Sequence, residues 1–112
     1  MTWTDTKVDN VDDLPASEYN NLVEHVYRNV QTKSANYTAN IGDVVLASNT
    51  ITISLPSGHS AGDRVIVKNI GTGTITIDGD GAETIDGSAT YDLNYQYESV
   101  TCISNGTNWY LI

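Results

Sequence analysis

Ile51-Thr52-Ile53-Ser54-Leu55-Pro56-Ser57-Gly58 alternates apolar and hydroxyl side chains and then breaks on a turn. A period of two puts Ile51, Ile53 and Leu55 on one side of an extended strand and Thr52 and Ser54 on the other, so one face suits a core and the other water. The same grammar continues outward. Arg64-Val65-Ile66-Val67-Lys68-Asn69-Ile70 follows, then the turn Gly71-Thr72-Gly73 and the alternating run Thr74-Ile75-Thr76-Ile77. Asp78-Gly79-Asp80-Gly81 interrupts it, and Glu83-Thr84-Ile85 with Asp86-Gly87 repeats the device on a smaller scale. Thr90-Tyr91-Asp92-Leu93 and Ser99 to Ser104 lead to Asn105-Gly106, a hairpin signal that feeds a last apolar strand, Asn108-Trp109-Tyr110-Leu111-Ile112. Short alternating strands separated by frequent turn signals predict a mainly β fold for residues 36–112, a small antiparallel β-sandwich or barrel. With no helix between the strands, a parallel α/β sheet is excluded.

Residues 1–35 read differently. Residues 1–14 are polar, with Trp3, Val8, Val11 and Leu14 as apolar beads on an acidic string, the pattern of an arm laid on a neighbour or of a frayed terminus. Leu14-Pro15-Ala16-Ser17-Glu18 opens a helix: Pro costs nothing at the first helical position, and Glu18 complements the positive end of the helix dipole. The helix is expected from Pro15 to Gln31 or Thr32. Tyr19, Val23, Val26 and Val30 form a heptad seam that Leu22 widens. A seam this short does not hold a coiled coil alone. It must pack on its own β domain, on copies of itself, or in a larger assembly, so the chain divides into an arm and helix (1–35) and a β domain (36–112).

Composition narrows the function. A chain of 112 residues makes one small domain, and with 14 acidic residues against 5 Lys and Arg its formal charge is -9. Such a surface repels phosphate backbones and anionic lipid, which argues against nucleic acid or membrane as a partner. Cys102 is the single cysteine, so there is neither an intrachain disulfide nor a cysteine-based zinc site, and its setting in Val100-Thr101-Cys102-Ile103 suits a small buried hydrophobe. The opening Met1-Thr2-Trp3-Thr4-Asp5 lacks the basic and apolar regions of a secretory signal, and no apolar run approaches the roughly 20 residues of a membrane-spanning helix. The expectation is a chain made in a cytoplasm and not exported by a cleaved signal.

Groups able to do chemistry are sparse. His25 lies beside the helix seam, and His59 sits in Ser57-Gly58-His59-Ser60-Ala61-Gly62-Asp63. Ser57, His59 and Asp63 have the residue types of a hydrolytic triad, but adjacency in one turn does not orient a nucleophile, and no strand-turn-helix elbow accompanies them. Asp78, Asp80 and Glu83 resemble the opening of a calcium loop, yet the third alternate ligand and the closing Glu are missing, and a turn using Asp and Gly explains the run equally well. Gly71-Thr72-Gly73 lacks the third glycine and helix of a dinucleotide site. No cofactor is called for, and the chain reads as a non-enzyme. Tyr and Trp offer an apolar face with a polar handle, so Tyr95 and Tyr97 form a candidate ligand surface. Trp109 and Leu111 fall on one face of the last strand, Tyr110 and Ile112 on the other, and apolar groups on both faces imply that both are covered. Trp109 and Leu111 join Trp3, Tyr19, Leu22, Val23, Val26 and Val30 as candidate anchor or inter-subunit contacts.

Two stretches resemble a known group. Trp3-Thr4-Asp5 with Leu14-Pro15-Ala16-Ser17-Glu18-Tyr19-Asn20-Asn21-Leu22 is similar to the N-terminal attachment segments of phage appendage proteins. The β part, with Gly42-Asp43-Val44-Val45-Leu46, Ile51 to Pro56, Gly62 to Asn69, Glu83 to Gly87, Glu98-Ser99-Val100 and Asn105-Gly106-Thr107-Asn108-Trp109, completes the likeness. Together they cover nearly the whole chain, which resembles the tail-fibre, head-fibre and capsid-decoration proteins of tailed viruses. That resemblance implies a homotrimeric β knob on the virion, made in the host cytoplasm and held to capsid or tail proteins by its N-terminal region. A repetitive shaft is missing, which favours a short spike or head decoration over a long fibre. The competing reading is an adhesion module that binds a host receptor or carbohydrate.

Overall fold

A computed structural model of the chain describes residues 29–112. They form nine strands: β1 (Val30–Lys33), β2 (Tyr37–Thr38), β3 (Val44–Ala47), β4 (Ile51–Ser54), β5 (Arg64–Asn69), β6 (Ile75–Asp78), β7 (Thr90–Leu93), β8 (Ser99–Ser104) and β9 (Trp109–Leu111). The fold is mainly β, with no helix among the described residues. Trp3, Tyr19, Leu22, Val23 and Val26 lie outside those residues, as does most of the expected helix.

The strands divide into a five-stranded sheet, β1-β3-β5-β8-β9, and a four-stranded sheet, β2-β4-β6-β7. From β1 to β6 the chain alternates between the sheets, and each strand lies parallel to the one before it in its own sheet. Only the last three strands pair antiparallel: β7 on β6, β8 on β5 and β9 on β8. Both sheets are therefore mixed, which corrects the expectation of an antiparallel sandwich or barrel. Parallel neighbours need a long crossover, which a helix usually supplies. Here a strand of the opposite sheet does that work, so the chain winds in stacked coils.

The apolar periodicity carries through as ladders across the sheets. Ile75 stands between Ile51 and Leu93, and Ile53 between Tyr37 and Ile77. In the other sheet Val45 stands beside Val67, and Val65 beside Cys102. These side chains, with Ala39, Ala47, Leu55, Ile85 and Trp109, make one core between the sheets. Parallel stacking also brings backbones close: a Cβ added to Gly73 would lie 2.6 Å from the carbonyl carbon of Asn49.

Two expectations change at the ends. Val30, Gln31 and Thr32, assigned above to the helix, belong to β1, because Val44 N–H donates to the Asn29 carbonyl (2.9 Å) and Ser48 N–H to that of Lys33 (2.9 Å). A valine at position 30 fits a heptad and a strand equally, and pairing with β3 decides it. The β body thus begins ahead of residue 36. At the other end the alternation of the last strand holds, but Trp109 is fully buried in this chain's own core and out of reach of a neighbouring copy, while the partly buried Leu111 packs on the same core.

Asp43 fastens the first coil to the second. Its carboxylate is 1% exposed and accepts from Asn29 Nδ2, from the Tyr37 hydroxyl at 2.7 Å and from the Asn40 backbone N–H at 2.8 Å. The turn Asn40-Ile41-Gly42-Asp43 needs a positive φ at Gly42 (87°), and Ser60-Ala61-Gly62-Asp63 builds the same turn ahead of β5, with Ser60 N–H donating to Asp63 Oδ2 at 2.8 Å. Burial and the adjacent Asp43 carboxylate raise the Tyr37 pKa above its usual value. Hydrogen bonds to a charged group contribute about 1.5–3 kcal/mol each, and an orphaned buried partner costs a similar amount. Asp43→Ala should therefore lower unfolding stability by about 2–4 kcal/mol and Tyr37→Phe by roughly 1–2 kcal/mol, read as urea midpoints at neutral pH.

Candidate functional site

His59 reaches across the fold to partners that its neighbours in sequence do not suggest. Its loop joins β4 to β5, and its side chain is 2% exposed. Nδ1 bonds the hydroxyl of Ser104 on β8, while Nε2 lies 2.9 Å from Oε2 of Glu83 in the β6–β7 connection. The ring packs on Trp109 with centroids 4.6 Å apart and planes tilted by 41°. Ser104 Oγ also accepts the Gly106 N–H at 2.8 Å, which joins the turn after β8 to the same hydroxyl.

Serine, histidine and a carboxylate in one chain of hydrogen bonds invite comparison with a hydrolytic triad, and two features separate them. In a triad the serine bonds Nε2 and the acid bonds Nδ1, whereas here the order is reversed. The would-be nucleophile is 4% exposed, on the inward side of β8. The arrangement ties three loops together at one end of the core. Ser57 and Asp63, nominated above, are not members: Ser57 contributes only its carbonyl to the His59 N–H, and Asp63 closes the Ser60 turn. Glu83 Oε1 and Trp109 Nε1 are buried and make no hydrogen bond among the described residues.

Beside this tie, Asp80, Gly81, Ala82 and Glu83 face Gly106, Thr107 and Asn108 across an open cleft of about 510 Å³. The structure does not gather Asp78, Asp80 and Glu83 into a calcium site. Asp78 is on β6 in register with Thr90, Glu83 is engaged by His59, and the Glu83 N–H closes a turn on the Asp80 carbonyl at 2.9 Å. No metal-holding cluster of three His, Cys, Asp or Glu occurs among the described residues.

The other candidate surface is the loop between β7 and β8. Tyr95 is 74% and Tyr97 63% exposed, as the sequence suggests. The loop that presents them is held firmly. Glu98 Oε1 accepts the backbone N–H groups of Asn94 (2.9 Å) and Tyr95 (3.2 Å), and Tyr97 N–H donates to the Asn69 carbonyl. Asn69, fully buried, donates through Nδ2 to the carbonyls of Gly73 (2.7 Å) and Leu93 (3.1 Å) and accepts Gly71 N–H at Oδ1 (3.0 Å). Tyr97 adopts φ +70°, a left-handed conformation that costs an aromatic residue roughly 1–2 kcal/mol, and Lys68 Nζ stands 5.8 Å from its ring centroid. Two phenol rings are thus displayed from a rigid base, suited to stacking on a partner while the hydroxyls form hydrogen bonds.

Comparison with protein-family models and with curated protein sequences finds no match for this chain.

Cys102 is buried on β8, and desolvation, followed by the charge of Asp86, pushes its thiol up to about 12 from 9.0. The thiolate is the reactive form, so native Cys102 should resist alkylation at pH 8 and react once the chain is unfolded. Because the folded pKa is raised, the stability linked to this group is fully present below pH 9 and lost as pH rises toward about 12. Unfolding titrations should show an alkaline loss on the order of 4 kcal/mol that Cys102→Ala removes, leaving the smaller slope due to Tyr37.

Proposed function

We propose that this chain is a non-enzymatic structural protein of a tailed-virus particle: a short trimeric capsid decoration or head fibre, or a tail-fibre-type spike, exposed on the particle surface. Made in the host cytoplasm, it would be held to capsid or tail proteins by the segment ahead of β1, with the β body projecting. The observation that carries this reading is how the β body uses its chemically capable side chains. Asp43, Asn69, His59, Ser104 and Glu83 direct their hydrogen bonds to neighbouring turns and strands, fastening coil to coil. Such a use suits a rigid body made for display, and the sequence resemblance over the anchor and the β strands points the same way. Light scattering on the full chain should give three times the chain mass, and the protein should be present in purified particles of the virus that encodes it. A monomer, or absence from those particles, contradicts the reading.

A second reading, an adhesion module for a host receptor or carbohydrate, is favoured by one observation: Tyr97 is held in a strained backbone conformation while its ring, like that of Tyr95, faces solvent. Strain persists where surrounding contacts enforce it, and it concentrates at functional positions. Tyr95→Ala with Tyr97→Ala should abolish binding on a glycan array while leaving the melting temperature within a few degrees. Binding that survives both changes removes this surface from consideration.

A further inference from the structure

We infer that the outer face of the five-stranded sheet is the contact surface between copies of this chain, an assignment that rests on the trimeric reading above and gives it a location. The two sheets have opposite outer faces. On the four-stranded sheet the outward positions are Thr38, Ser54, Asp78 and Thr90 in one row and Thr52, Thr76 and Asp92 in the next. Thr76 Oγ1 donates to Asp92 Oδ1 at 2.9 Å, so this is a finished, water-facing surface. On the five-stranded sheet the corresponding rows are Val30, Val44, Ile66 and Thr101, then Leu46 with Lys68 and Ser99, and Arg64 with Ile103 and Tyr110. Val30 is 50% and Tyr110 44% exposed, and Ile112, next to this face, is 70% exposed. Val30, Val44, Leu46, Ile66, Ile103 and Tyr110 thus form an apolar patch on this face, interspersed with Thr32, Arg64, Lys68, Ser99 and Thr101, and a partly exposed apolar patch rimmed by polar groups marks an interaction site.

Charge selects the occupant. The chain carries a formal charge of -9, so copies repel one another wherever carboxylates face. None of β1, β3, β5, β8 and β9 contains Asp or Glu. This sheet also carries three of the chain's five Lys and Arg residues, Lys33, Arg64 and Lys68. Arg64 and Lys68 stand outward on the central strand β5, while exposed Asp86 borders the sheet at β9, where its Oδ1 accepts the Leu111 N–H at 3.1 Å. In a cyclic arrangement the border of one copy meets the centre of the next, so a second copy supplies both apolar area and the carboxylate that Arg64 or Lys68 lacks within its own sheet.

Two pairs of variants test this in the full chain. Ile66→Lys places a charge at the centre of the proposed contact, and Thr76→Lys does the same on the outer face of the other sheet. Light scattering should show the trimer mass for the unaltered chain and Thr76→Lys, and the monomer mass for Ile66→Lys with its far-ultraviolet circular dichroism preserved. Should Ile66→Lys fail to fold, Ile66→Cys and Thr76→Cys give a separate reading by maleimide labelling, since buried Cys102 contributes little background. The Ile66→Cys variant should label at least tenfold more slowly than the Thr76→Cys variant at trimer-forming concentration, and at the same rate on dilution to monomer. A trimer whose mass survives Ile66→Lys, or equal labelling of the two cysteine variants in the trimer, overturns the location while leaving the trimer intact. A monomeric unaltered chain overturns both, and protection of the Ile66→Cys thiol in that monomer places another segment of the same chain over the face.

Discussion

Everything in the β body depends on two ladders of apolar side chains keeping their register. Ile51 beside Ile75 and Ile53 beside Ile77 line one wall of the core, and Val45 beside Val67 lines the other. A slip of one residue in β4 or β6 would turn Thr52 or Thr76 inward and leave isoleucines in water. With parallel strands no tight hairpin sets the register between coils, so it must be set at the turns. The repeated turns at Asn40–Asp43 and Ser60–Asp63 do this, each ending on an aspartate whose carboxylate holds the first N–H of the turn. Asp43 goes further and draws Asn29 and Tyr37 into the same carboxylate.

The end of the body farthest along the chain is closed by other means. There the strands turn antiparallel, and β7, β8 and β9 complete the sheets on β6 and β5. His59, with Ser104 on one ring nitrogen and Glu83 on the other, joins the loops at this end over the Trp109 ring. Asn69 plays the equivalent part at the tip of β5, where one buried amide satisfies two carbonyls and an N–H from separate segments. A domain this small has little core to spare, and polar ties of this kind restrict the loops that its apolar contacts leave free.

The strands themselves were legible in the sequence, because alternation at Ile51–Leu55, Arg64–Asn69 and Thr74–Ile77 is a local property. Asn105-Gly106 was legible as a turn for the same reason: Asn105 Oδ1 accepts the N–H groups of Thr107 and Asn108, and Gly106 takes φ +97°. Strand direction was not legible, since parallel and antiparallel partners show the same alternation when one face is buried. The available signal was the recurrence of Gly-Asp ahead of a Val-rich strand, at Gly42-Asp43-Val44-Val45 and Gly62-Asp63-Arg64-Val65, which marks a repeated coil. The candidate site divides the same way. The exposure of Tyr95 and Tyr97 follows from their polar loop, whereas the bond between His59 and Ser104 spans 45 positions and leaves no local trace.

The four-stranded sheet turns a face of threonine, serine and aspartate outward and the five-stranded sheet one that bears Val44, Ile66 and Ile103, and the proposed assembly sets the first toward solvent and the second toward other copies. The most direct measurement is a cryo-electron microscopy map of the full-length assembly at side-chain resolution. The map is expected to show three copies with Val44, Ile66, Ile103 and Tyr110 turned toward the shared axis and Thr52, Thr76 and Asp92 facing solvent. A map in which the threonine-rich face forms the contact, or in which the copies do not touch, would contradict it.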